Sequence, residues 1–309
     1  MRPELAQAID LLRTNALENV EKAIELLQNT VFSFSMKVCG HREDAEDTMQ
    51  EVLYRSLRHL VRVQDPSAVA VWLYTVTRNR CWRLRRKSAH AGKQVSLDEL
   101  MPGQPELARL LHDSAPGPEE RAVKAAEQEL LQKAVLRLPP QLRIVLVLHD
   151  MEELDTGELS QILGLKPGTV RVRLHRARLL VRREFSQLTQ STQGVPKLAK
   201  KELMRRGRPA KRRPAVTTRP QECRELFRNL SEYLDGRIVT PTCDRMREHI
   251  AACPACVAFI RDLQASIDRC RTMKVPCSSS TKLRLRALLA REYLRLLETA
   301  RPEETSKVL

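Results

Sequence analysis

Glycine is scarce in this chain, ten residues in 309, and aromatic side chains make up only 4% of it. Few glycines and little apolar–polar alternation argue against a β-rich fold of tight hairpins. Long hydrophobic runs are missing too. Stretches such as Ile144 to Leu148 fall far short of the roughly 18 to 20 residues needed to cross a bilayer. The opening MRPELAQAID lacks the apolar segment of a signal peptide, so a cytoplasmic location and no membrane partner are expected. No glycine loop fit to cradle phosphate and no plausible catalytic triad can be picked out, so the chain is not expected to be an enzyme. Acidic residues are outnumbered, 38 against 54 basic, leaving a net charge of +16. A surplus of that size points to a polyanionic partner, nucleic acid or an anionic surface. Cysteine is rare until late: Cys39 and Cys81 are followed by six more between Cys223 and Cys277. In a reducing compartment such a cluster, with histidine nearby, suggests metal or redox chemistry more than a disulfide framework.

What remains is rich in Leu, Ala, Arg and Glu, and the expected fold class is all-α. Residues 1–87 form a first helical block, interrupted at Asp65-Pro66-Ser67 by a turn and a new helix start. A linker follows over 88–118, and a second helical block over 119–190. Residues 191–221 are a basic linker; Val195 to Pro220 carries ten Lys/Arg and one Glu and is expected to be disordered when free. A cysteine-rich domain spans 222–277, and an amphipathic helix over 278–309 closes the chain and is expected to dock on a domain.

The second block reads as a helix-turn-helix. Asp155-Thr156-Gly157-Glu158 is a capping-box variant, the short helix after it ends at Gly164, and Leu165-Lys166-Pro167-Gly168 turns into a second helix. On that helix Val170, Leu174, Ala177 and Val181 share one apolar face. Arg171, His175, Arg178 and Arg182 repeat the spacing one step round, with Arg173, Arg176 and Arg183 beside them and no acid between Lys166 and Arg183. Such a helix can dock on a small core and put guanidinium groups into a major groove, most of them on phosphates. A solvated, arginine-rich surface helix is the plainer alternative.

ELSQILGLKPGTVRVRLHRARLLVR resembles region 4 of extracytoplasmic-function (ECF) sigma factors of the sigma-70 family. GHREDAEDTMQEVLYRSLRHL and AVWLYTVTRNRCWRLRRK resemble region 2 of the same family, in the family's order. The resemblance implies two helical sigma domains that direct RNA polymerase to promoters. It assigns the −35 element of double-stranded promoter DNA to Thr169, Arg171, Arg173, His175, Arg176 and Arg178. It assigns the −10 element and its melted strand to Arg78, Asn79, Arg80, Arg83 and Arg86, and the polymerase core enzyme to Asp44, Asp47, Gln50 and Glu51. Trp72 and Trp82 are read as core anchors in preference to base-stacking platforms. The loop LVRVQDP, where the family captures a flipped base, holds no aromatic residue, which leaves the pocket unassigned. A helix-turn-helix regulator that never recruits polymerase is the alternative function.

In the cysteine-rich domain, His249 and Cys253 are four apart on one helix face, and Cys253-x-x-Cys256 lets a turn present a second thiolate to the same ion. A tetrahedral zinc site needs a fourth ligand. Cys223 is the first candidate and Cys243 the competitor; reduced buried thiols are the alternative to a metal. The block resembles the zinc-binding domain of anti-sigma factors. That likeness implies an intramolecular contact with the sigma domains and regulation in cis by metal or thiol oxidation, against the rival of a purely structural extension. RGRP within the basic linker is read as part of a flexible, DNA-attracted tether.

Overall fold

The computed structural model describes residues 3–62, 65–85, 100, 106, 120–192, 221–236, 244, 247, 248, 250, 253–273, 275, 277 and 279–300. Regular structure among them is helical, with no strand. The helices are α1 (Pro3–Arg13), α2 (Leu17–Cys39), α3 (Arg42–Leu60), α4 (Pro66–Arg85), α5 (Glu120–Arg137), α6 (Pro140–Leu146), α7 (Thr156–Leu163), α8 (Pro167–Thr192), α9 (Gln221–Leu234), α10 (Pro254–Thr272) and α11 (Ser279–Ala300). A π-helical turn, Val147–Met151, continues α6. None of the described helices is long and apolar enough to cross a membrane.

The chain forms two compact units, one of residues 1–93, 139–173 and 270–309, the other of 94–138 and 174–269. In the first, α2 is the central helix. Val20, Ala23, Ile24, Leu27, Val31, Phe34 and Val38 follow the three-and-four spacing of one face, while Phe32 and Cys39 are buried as well. A helix with so many buried positions needs neighbours on several sides, and α1, α3, α4 and α11 pack on it. Truncating a ring such as Phe34 to alanine should cost about 3–5 kcal/mol through lost burial and the cavity left behind. The helix stops at Gly40, whose φ of 82° lets its N–H turn back to the Met36 carbonyl at 3.0 Å.

Two sequence-read helix starts are built as expected. Asp65 accepts the Ala68 N–H at 2.9 Å as α4 begins at Pro66, where a missing N–H costs nothing. Asp155 accepts from Gly157 and Glu158 N–H at 2.6 and 2.9 Å, and Glu158 accepts the Asp155 N–H at 2.8 Å, a complete capping box. The amphipathic α11 lies against α2 and α3, with Arg286 Nη1 2.8 Å from Glu25 Oε2. In the second unit the buried apolar side chains include Leu131, Ala134 and Val135 of α5, Leu174, Ala177 and Val181 of α8, Leu226 and Leu230 of α9, and Leu263 and Ile267 of α10.

Candidate nucleic-acid interface

Gly164 closes α7 with φ 64°, and its N–H bonds the Ser160 carbonyl. The chain then enters α8 through Leu165 and Lys166, the second helix of the sequence-read pair. Thr169, Arg171 and Arg176 are exposed and Arg173 is half-buried. Val170, Leu174, Ala177 and Val181 are buried at 2% exposure or less, as the periodicity requires. The cationic stripe beside them divides in two. Arg171 stays in solvent, whereas His175, Arg178 and Arg182 are buried at 7%, 0% and 2%.

That burial is made possible by acids the sequence reading had not connected to α8. The Arg178 guanidinium donates through both terminal nitrogens to the Asp235 carboxylate, at 2.8 and 3.0 Å. Arg182 bridges Asp262 at 2.8 Å and Glu106 at 2.6 Å and lies 4.5 Å over the Phe259 ring. Planar two-pronged pairing of this kind is the strongest contact a guanidinium makes, and the same fork accepts a phosphate. His175 Nδ1 meets Ser231 Oγ at 2.9 Å, and its ring stands edge-on to Phe227. Its buried Nε2 has no hydrogen-bond partner among the described residues. Burial, reinforced by the charges of Arg178 and Arg176, pushes the His175 imidazole down to about 4, so it is neutral at physiological pH. Of the six sequence-read −35 residues, then, His175 and Arg178 are occupied by α9 and the turn after it; the other four keep at least part of their surface in solvent.

Arg78, Asn79, Arg80 and Arg83, read from the sequence as −10 contacts, lie on α4. Arg78 donates to Asn79 Oδ1 and to the Ile162 carbonyl near the end of α7, and burial lowers its pKa from the ordinary arginine value. Arg80 pairs with Glu51 at 2.7 Å, and Glu51 also holds Arg55 at 2.8 Å. A residue assigned to DNA thus holds one assigned to polymerase. Arg83 is exposed, while Arg86 lies outside the described residues. On α3, Asp47 and Gln50 are exposed and Asp44 is half-buried. The core-anchor reading fails for Trp82, which is 45% exposed with the Arg78 guanidinium 5.5 Å from its ring. Trp72 is half-buried and stacks on His59 at 4.2 Å.

A further polar centre joins elements far apart in sequence. Lys37 Nζ lies 2.9 Å from Glu152 Oε1, and Tyr74 Oη donates to Glu152 Oε2 at 2.8 Å. All three side chains are buried. Arg143 donates to the Val38 carbonyl at 2.8 Å beside them. The π turn sets this geometry: the Glu152 N–H bonds the Val147 carbonyl, and Glu153 follows with φ 58°. A non-glycine residue in that region costs about 1 kcal/mol, offset here by the packing of Ile144 to Leu148.

Of the zinc-ligand set, Cys253 and Cys256 stand at the start of α10, reduced and half-buried. Their thiols suit zinc chemistry, and a helix start favours the thiolate. His249, Cys243 and the side chain of Cys223 lie outside the described residues, and among the described residues no group of three or more donors gathers.

Comparison with known proteins falls on these same segments. The family model for sigma-70 region 2 matches residues 23–91, that for sigma-70 region 4 matches 128–181, and a zinc-finger family model matches 223–256. The chain is 31% identical over 145 residues to the RNA polymerase sigma-E factor of Streptomyces antibioticus, covering 46% of this chain and 71% of that protein. It is 27% identical over 168 residues to the ECF RNA polymerase sigma factor SigW of Bacillus subtilis, covering 53% and 88%. With the ECF RNA polymerase sigma factor SigE of Mycolicibacterium smegmatis it shares 29% over 170 residues, 54% of this chain and 62% of that one, less than two thirds of its length.

Proposed function

Because the chain belongs to the sigma-70 family of RNA polymerase sigma factors, we propose that it directs polymerase to promoters and that its cysteine-rich extension restrains this activity in cis. The protein supplies binding energy and strand capture while polymerase does the phosphoryl chemistry. The exposed N-terminal part of α8, with Thr169, Arg171, Arg173 and Arg176, enters the major groove at the −35 element. The helix bearing Arg78, Asn79, Arg80 and Arg83 takes the −10 element. Asp47 and Gln50, with Asp44 at their side, face the core enzyme.

The observation that carries the restraint is the fork of Arg178 closed on Asp235. The Asp235 carboxylate occupies the fork that a phosphate would take, so the docked extension and the promoter compete for the same guanidinium. Zinc, when bound by Cys253, Cys256 and further donors of the extension, would supply a structural cross-link that holds α9 and α10 together. Cys253 and Cys256 then serve as ligands whose oxidation would release the metal, the finer reading of a redox or metal signal.

Run-off transcription with purified core polymerase and a promoter selected from genomic DNA tests both levels, comparing the full chain with one ending at Gln190. Initiation by the shortened chain alone supports restraint in cis. Equal initiation by both keeps the sigma activity and removes the restraint. Tight DNA binding without initiation by either leaves a helix-turn-helix regulator that does not recruit polymerase.

A further inference from the structure

Lys37, Tyr74 and Arg78 belong to the segment matched by sigma region 2, while Arg143, Glu152 and Ile162 belong to the segment matched by region 4. Within one compact unit, polar contacts between described residues join the two segments. They include Lys37 and Tyr74 to the two oxygens of Glu152, Arg143 to the Val38 carbonyl, and Arg78 to the Ile162 carbonyl. A fully buried ion pair is a poor source of net stability, since desolvation of both charges offsets most of the attraction. Its effect is on specificity: the charges are compensated in one docking geometry and in no partial one.

The geometry also sets two DNA-reading elements against each other. Arg78 of the −10 helix touches the end of α7, the first helix of the helix-turn-helix. Promoter elements named −10 and −35 lie some twenty base pairs apart, about 70 Å along the duplex at roughly 3.4 Å per base pair. Helices in hydrogen-bond contact cannot reach both at once. Resting on the sigma-factor reading, we propose that Glu152, gripped by Lys37 and Tyr74, is the latch of a closed resting state, distinct from the restraint exerted by the cysteine-rich extension. Promoter engagement then requires this carboxylate to leave Lys37, after which both charges are solvated and the two segments separate.

The experiment measures the distance between spin labels on non-cysteine reporter residues at the exposed positions Arg58 and Gln161, in the full-length chain. The unaltered chain is expected to give one short, narrow distance. Glu152→Gln removes the carboxylate charge that Lys37 meets at 2.9 Å and should shift the closed-to-open ratio on the order of a hundredfold, adding a broad, long population. The double variant K37M/E152M removes both charges, keeps the volume and should restore the short distance, which separates unlatching from misfolding. Far-UV circular dichroism should be alike in all three. A short, narrow distance in Glu152→Gln overturns the latch, and so does a double variant as open as the single one. No polymerase enters the measurement, so loss of sigma activity in the transcription assay and loss of the latch are separate outcomes.

Discussion

Replacing Asp235 with asparagine should turn the extension from a restraint into a bystander. Arg178 is fully buried and Asp235 only 11% exposed, so solvent screens the pair little. Asparagine keeps the shape and one acceptor but removes the negative charge that the buried guanidinium meets. Breaking buried pairs this way costs about 3–5 kcal/mol. Taking about 3 because the asparagine oxygen still accepts one bond, the docked-to-undocked ratio falls by roughly a hundredfold. If only the undocked form accepts a −35 duplex, its apparent Kd is the intrinsic value divided by the undocked fraction, and it should tighten by up to the same factor. Fluorescence anisotropy with a labelled duplex at fixed salt reads this directly. Asp244→Asn is the control: its pair with Arg247 at 3.2 Å is more than half exposed on both sides and should leave the affinity unchanged. An Asp235→Asn chain that melts normally yet binds DNA no more tightly than the unaltered one would refute the competition.

Other consequences can be measured in the same preparations. His175 is held neutral down to about pH 4 while its unfolded value is near 6.5, so protonation opposes the native packing and stability falls as pH drops from 6.5 towards 4. Urea unfolding should lose about 2 kcal/mol between pH 6.5 and 5 from this group, and His175→Asn should flatten that slope; an unchanged slope would contradict it. Gly164→Ala should cost about 1 kcal/mol by thermal melting, because the φ of 64° is strained for any side chain although nothing crowds the new Cβ. Asparagine at the same position should recover most of the loss. The full chain prepared without chelator should carry zinc by elemental analysis, and a Cys253→Ser, Cys256→Ser chain should not; equal zinc in both would remove these thiols from the ligand set.

The helices and their caps were legible because they are local. Asp155 and Glu158 are three residues apart, Gly164 marks a helix end, and the spacing of Val170, Leu174, Ala177 and Val181 depends on nothing outside α8. The partners of the same helix were not legible. Arg178 finds Asp235 57 residues on, and on a different helix, α2, Lys37 finds Glu152 115 residues on. A cation on an amphipathic helix gives no sign of whether a phosphate, water or a distant carboxylate will meet it; the acid-free run from Lys166 to Arg183 therefore read as one DNA-facing stripe. Asp235 and Asp262 lie in the cysteine-rich domain of residues 222–277, and no periodicity pairs one acid with one arginine. Trp82 went astray for a related reason: a large indole is more often buried than exposed, and only the packing of α4 decides.

The π turn from Val147 to Met151 places a requirement on length rather than on residue type. Each residue of an α-helix advances the side chain by about 100° around the axis. Closing the Glu152 N–H on the fifth residue back instead of the fourth inserts one such step, and it is with that step included that the carboxylate faces Lys37 and Tyr74. Removing a single residue from this turn would leave the glutamate in the sequence and rotate it out of the pocket. A relative could therefore keep both charged residues and still lack the latch, and the count of residues between Pro140 and Glu152 carries information that their identities do not.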